Sequence, residues 1–131
     1  MPHFGTRSKT GLDTLDHRLI EVLEEAIKHV DFSIICGHRK KEDQDAAFDA
    51  GKSRKRWPDG THNTLPSCAV DVAPWPINWE DSESFYLLAG VIKGIALTMG
   101  YKLRLGGDWD GDGSTDDQTL IDPGHIEILD G

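Results

Sequence analysis

The sequence predicts an α+β fold: a small, mainly antiparallel sheet flanked by about three helices, in a single domain. Three observations carry this. Apolar residues recur at helical spacing over Asp13–Val30, and the stretch that ends at Met99 reads as a mostly apolar helix. Short β-rich runs with two-residue alternation stand at "FSIICG", "CAVDVAP", "YKLRLG" and "GHIEIL". Helices and strands read as partly segregated, the last two strands following one another with no helix between them. The chain has 131 residues, enough to bury a real hydrophobic core.

Each element has a local reason. In the first helix Leu15, Leu19, Val22, Leu23, Ala26, Ile27 and Val30 form one apolar face, with Asp13 as N-cap and Asp16 in the first turn. "FSIICG" (Phe32–Gly37) is a strand closed by glycine. "KKEDQDAAFDAG" is a helix that stops at Gly51, a suitable residue just past a helix end. Residues 52–67 form a loop punctuated by Pro58, Gly60 and Pro66. In Cys68–Pro74 Ala69 and Asp71 share one face and Val70 and Val72 the other. Asp81 or Ser82 caps the helix that ends before Gly100. "YKLRLG" follows, with Lys102 and Arg104 on its outer face. In the last strand His125 and Glu127 face one way, Ile126 and Ile128 the other.

Composition narrows the function. The net charge is −9, so DNA or RNA is an unsuitable partner, because polyanions are held by clustered Lys and Arg. The one basic cluster, "KSRKRWP", reads as a solvated loop, with a contact for an anionic surface or substrate as the alternative. No apolar run reaches the roughly 20 residues of a membrane span, and the N-terminus lacks a signal-peptide core. Stable membrane insertion is not expected. With no heptads or apolar stripe in view, a monomer is expected. Cys36 and Cys68 form neither a disulfide framework nor a zinc motif, and read as small buried or half-buried residues.

The chemistry concentrates at loop and strand ends. His3, His17 and His29 lie in the tail or on the first helix. His38, His62 and His125 lie where sites form. His62 precedes Asp71 on its strand, and His125 follows Asp122 in "DPGHIEI". Two imidazoles and a carboxylate leave a zinc ion one position for water. A nearby carboxylate must then act as base, and Asp122 and Glu127 are both available.

The runs "GHRKKEDQ", "THNTLPSCAVDVAPWPINW", "LRLGGDWDGDG" and "DPGHIEI", in this order, resemble the phage endolysins of metallopeptidase family M15. These are L-alanyl-D-glutamate peptidases, related to D-alanyl-D-alanine carboxypeptidases. The resemblance covers about 32–129. It implies zinc held by His62, Asp71 and His125, with Asp122 as catalytic base. It implies Arg39 as anchor for a substrate carboxylate, since a guanidinium fork grips a carboxylate with two hydrogen bonds, with Gln44 near it. Two departures stand out. Gly60 occupies the position of a serine common in the family, and eight residues separate His62 from Asp71 where much of the family has six.

"DWDGDGSTDDQ" matches an EF-hand loop at Asp108, Asp110, Asp112, Gly113, Ser114 and Asp116, with Thr119 in place of the last bidentate glutamate. Oxygen donors suit calcium rather than zinc, so the loop reads as a calcium staple or switch beside the zinc site, with a solvated acidic turn as the alternative. The resulting expectation is a zinc endopeptidase that cuts the Ala–Glu bond of the peptidoglycan stem peptide. Such a lysin is made in the host cytoplasm and acts on periplasmic peptidoglycan once the membrane is opened. A D,D-carboxypeptidase or dipeptidase on the same scaffold is the alternative within the enzymes. A non-catalytic calcium- or wall-binding module is the alternative outside them. No separate wall-binding domain is expected.

Overall fold

The computed structural model describes residues 2–51, 53, 55–60, 62–106 and 124–129. The elements run α1 (Thr6–Leu12), α2 (His17–Ala26), β1 (Phe32–Cys36), α3 (Lys41–Asp49), β2 (Ala69–Pro74), α4 (Ser82–Thr98), β3 (Lys102–Leu105) and β4 (His125–Leu129). The strands form one sheet in the order β1-β2-β4-β3, with every neighbouring pair antiparallel. The α+β expectation holds.

One helix was not expected. Residues 6–12, "TRSKTGL", carry little apolar periodicity, yet they form α1, which buries Ser8 and Leu12 against β1. The Ser8 hydroxyl accepts the Ile34 amide at 3.1 Å. Asp13 is therefore the C-cap of α1 rather than the N-cap of the next helix. That cap is Asp16, whose carboxylate accepts the Arg18 amide at 2.9 Å. Residues 14–16 are diverted into a bridge instead: the Ser67 amide donates to Thr14 and the Asp16 amide to Ser67, both at 2.8 Å.

The core lies between the helices and one face of the sheet. Phe32, Ile34, Val70, Val72, Ile126 and Ile128 point into it from the strands, with Leu19, Val22 and Leu23 from α2 and Leu88, Ile92 and Ala96 from α4. The Leu88–Ile92–Ala96 spacing keeps one stripe of α4 inward, while Leu87 and Leu97 are exposed. Gly51 and Gly100 stand past the ends of α3 and α4 with φ of 76° and 81°, as helix ends that turn left-handed require. The alternation read in "CAVDV" and "HIEI" puts Asp71, His125 and Glu127 on the sheet face opposite the core, and that face carries the site. No described helix is long and apolar enough to cross a membrane.

Candidate active site

Strand register builds most of the site. Asp71 lies opposite His125 in the β2–β4 pair. Across the β1–β2 pair the register runs Ile34 to Val72 and then Cys36 to Asp71, so Ile35 is an extra residue. A bulge of this kind re-aims the side chains beyond it. Cys36, Asp71 and His125 thus form a row across three adjacent strands.

His62 arrives from the loop before β2 and is buried. Its Nδ1 lies 2.8 Å from the Gly37 carbonyl oxygen, which can only accept, so Nδ1 carries the proton. Nε2 faces Asp71 Oδ1 at 3.3 Å and His125 Nδ1 at 3.3 Å, and is the nitrogen left to coordinate once the ring gives up its second proton. His125 is held the other way round: Nε2 lies 2.8 Å from Glu127 Oε1, and Nδ1 lies 3.0 Å from Asp71 Oδ1. Three donor atoms are therefore 3.0–3.3 Å apart. A tetrahedral ion with bonds of about 2.0–2.1 Å needs ligand atoms about 3.3 Å apart. The three atoms fit one face of such a tetrahedron, and the fourth corner is left for a water or substrate oxygen.

A second set overlaps the first. One ligand atom each from Cys36, His62 and Asp71 lie within 4.8 Å of one another. The thiol contacts the Gly37 carbonyl at 3.6 Å. The His62, Asp71 and His125 donors, 3.0–3.3 Å apart, match a tetrahedral edge. Cys36 is a neighbour that sequence reasoning left out of the site. Its position just before Gly37 and Arg39 was the available signal, and the bulge that turns it toward Asp71 is invisible in the sequence.

Charge follows the same geometry. Burial disfavours a charged His62, but its hydrogen bonds with Asp71 and Cys36 outweigh that and push it up to about 10. His125 is raised likewise: burial opposes the charge, and Asp71 and Glu127 overcome it. Burial works against the Asp71 charge too, yet both histidines hold its carboxyl well below the usual carboxylate range. Glu127 is depressed to about 2 because His125 and Arg104 outweigh its burial. The pocket thus concentrates anionic carboxylates that call for positive charge, which protons supply in the metal-free protein and a divalent cation would supply in their place.

Arg39 stands beside this cluster. Its Nη2 lies 3.5 Å from Asp71 Oδ2 and its Nη1 donates to Gln44 Oε1 at 3.1 Å. Gln44 is fully buried. Its amide donates to Ser53 and to the Lys55 carbonyl, and its oxygen also accepts from Asn63 at 3.1 Å. Two donors and two lone pairs are thereby used, so Gln44 supports Arg39 and the loop from within the protein. Asn63 is the other residue not foreseen. Its side chain donates to the Arg39 carbonyl at 3.2 Å and accepts the Gly60 amide at 2.8 Å. A Cβ at Gly60 would come within 2.7 Å of Asn63 Oδ1 and 2.8 Å of Gln44 Oε1. These two amides fill the space that a side chain at residue 60 would need. Asp122 and the acidic run with Asp108, Asp110, Asp112, Ser114 and Asp116 lie outside the described residues.

The family model described as phage L-alanyl-D-glutamate peptidase matches residues 2–129. The L-alanyl-D-glutamate peptidase of Escherichia phage T5 is 28% identical over 134 residues, covering 96% of this chain and 97% of that protein. The crystal structure of Serratia marcescens L-Ala D-Glu endopeptidase ChiX superposes with a TM-score of 0.78 at 25% identity, covering 98% of this chain and 91% of that one.

Proposed function

The chain belongs to the phage L-alanyl-D-glutamate peptidase family, and on that premise we propose that it is a zinc-dependent phage lysin that hydrolyses the L-alanyl-D-glutamate bond of the peptidoglycan stem peptide. The observation that carries the metal is the triangle of His62 Nε2, Asp71 Oδ1 and His125 Nδ1, 3.0–3.3 Å on each edge, with the outer nitrogens of both imidazoles tied to the protein. The two histidines and Asp71 would hold the ion. Zinc, when bound, supplies a Lewis acid for the scissile carbonyl and lowers the pKa of a water to about 7.

The chain's own residues do the remaining work. Arg39, braced by Gln44, pairs with a carboxylate of the stem peptide and sets the register of the scissile bond. Asp122 is assigned the base on the resemblance: it takes the proton of the attacking water and returns it to the leaving amine. Glu127 does not compete for that role, since both its oxygens are engaged by His125 and Arg104. The lysin is read as a single-domain monomer, made in the host cytoplasm and acting on periplasmic peptidoglycan after the membrane is opened.

The test is mass spectrometry of fragments released from purified peptidoglycan by the zinc-loaded protein. New N-terminal D-glutamate is the expected product. Free D-alanine would move the activity to the carboxypeptidase type, and no cleavage by stoichiometrically loaded protein would overturn the enzyme reading.

A further inference from the structure

We infer that Arg104, on the edge strand β3, is a positioning residue for the metal site and acts through Glu127 on His125. The inference rests on the metal-site reading above and adds a residue to it that neither coordinates nor binds substrate.

The geometry is a relay. Arg104 lies opposite Glu127 in the β3–β4 register. Its Nε and Nη2 both donate to Glu127 Oε2, at 3.1 and 2.7 Å. The other oxygen of the same carboxylate, Oε1, accepts from His125 Nε2 at 2.8 Å. Each oxygen thus has its own task, and the guanidinium fixes the plane in which Oε1 meets the imidazole. An imidazole has one donor and one acceptor nitrogen when neutral. With Nε2–H committed to Glu127, Nδ1 is the nitrogen whose lone pair serves for coordination, and it lies 3.0 Å from Asp71.

Burial gives the relay its weight. The Glu127 side chain is 7% exposed, against 42% for Arg104. A surface ion pair is worth little, but here one partner is sunk in the sheet. Taking the guanidinium away leaves a buried carboxylate short of donors on one oxygen. It can then turn toward other donors and release the ring that it orients. Lysine keeps the charge but lacks the fork that holds one oxygen with two bonds.

The experiment measures zinc affinity by chelator competition on metal-free protein, the visible spectrum of the cobalt-substituted form, and kcat and KM on a soluble muropeptide. The variants are R104Q, R104K, E127Q and R104Q/E127Q. E127Q and R104Q are each expected to weaken zinc by about 10–100-fold, the range seen for such outer partners. Both should alter the cobalt bands and lower kcat more than they raise KM. R104K should recover part of the loss. The double variant should bind zinc about as well as E127Q alone, because the two residues act in series. R104Q affinity equal to that of the parent would overturn the relay, as would a double variant whose loss is the product of the single ones, or an effect confined to KM. If R104Q does not fold by circular dichroism, R104K decides by the same affinity criterion. Failure of the unmodified protein to bind one zinc would instead overturn the metal-site reading itself.

Discussion

Gly124→Ala tests how finely the metal site depends on backbone packing. Gly124 precedes His125 and donates no side chain to anything, so its requirement is space. A Cβ there would stand 2.5 Å from the Val72 carbonyl oxygen and 3.4 Å from Phe85 Cε1. An unstrained carbon–oxygen contact is about 3.3 Å or more, so β4 and β2 must separate by roughly 0.8 Å at this point. The close partner is a main-chain oxygen, so no side-chain rotation relieves the clash. The Val72 amide bonds to the Gly124 carbonyl at 2.9 Å, and Val72 adjoins Asp71. The displacement therefore falls on the Asp71–His125 edge of the ligand triangle. Losing that hydrogen bond and adding strain should cost about 1–3 kcal/mol of stability. Metal sites tolerate errors of only about 0.2 Å, and a misplacement near 1 Å costs about a hundredfold in rate. Gly124→Ala is expected to fold, with a Tm several degrees lower, and to lose at least tenfold in zinc affinity and more in kcat. Calorimetry of the metal-free protein, chelator competition and muropeptide hydrolysis give the three readings. Unchanged affinity and kcat in a destabilised variant would refute the reasoning, because strain would then be absorbed away from the ligands.

Three further outcomes follow from the site. Asp122→Asn should retain zinc and lose about 10²–10⁴-fold in kcat, as loss of a general base does; hydrolysis at the parent rate would remove Asp122 from that role. Cys36→Ser should change zinc affinity by less than about threefold, since coordination through His62, Asp71 and His125 does not use sulfur. A sulfur-to-metal charge-transfer band in the cobalt-substituted parent, lost in Cys36→Ser, would show the overlapping thiol set to be the ligands instead. The third concerns pH. Glu127 is depressed to about 2, so its stabilisation is present above its ordinary value of 4.5 and disappears as pH falls from there through about 2. His62 is raised to about 10, so its stabilisation is complete below 6.5 and disappears as pH rises through about 10. The metal-free protein should be most stable between these limits, and a Tm that stays flat from pH 6.5 to 10 would contradict the His62 assignment.

Much of this was legible because a sheet with one buried face writes itself into sequence. Val70 and Val72 against Asp71, and Ile126 and Ile128 against His125 and Glu127, show which side chains leave the core. What stayed hidden depends on facts outside any single strand. By simple alternation Cys36 belongs with Ile34 on the core side, and only the bulge turns it to Asp71. Arg104 reads as a solvated strand residue until β3 is known to pair with β4 in the register that sets it opposite Glu127. Asn63 is one polar loop residue among several until the turn from Gly60 is closed by its side chain. α1 escaped because its short apolar face is completed by β1 rather than by its own repeat.

The longer spacing between His62 and Asp71 shows why chain distance and ligand distance are separate matters. Closing a flexible loop depends only weakly on its length, so two added residues cost little if both ends are held. Both ends are held here, by different parts of the fold. His62 is fixed by its ring bond to the Gly37 carbonyl and by its own carbonyl, which accepts the Arg39 amide at 2.8 Å. Asn63 ties the same turn to Arg39 and Gln44. At the far end Ser67 is buried and bonded through its main chain to Thr14 and Asp16 in the link between α1 and α2. Asp71 is placed by its strand partners on both sides. The stretch between Asn63 and Ser67 is then a span between two anchored points, with Leu65 exposed at its middle. His62 and Asp71 meet because each is anchored to β1 or its extension, not because the residues between them measure the distance.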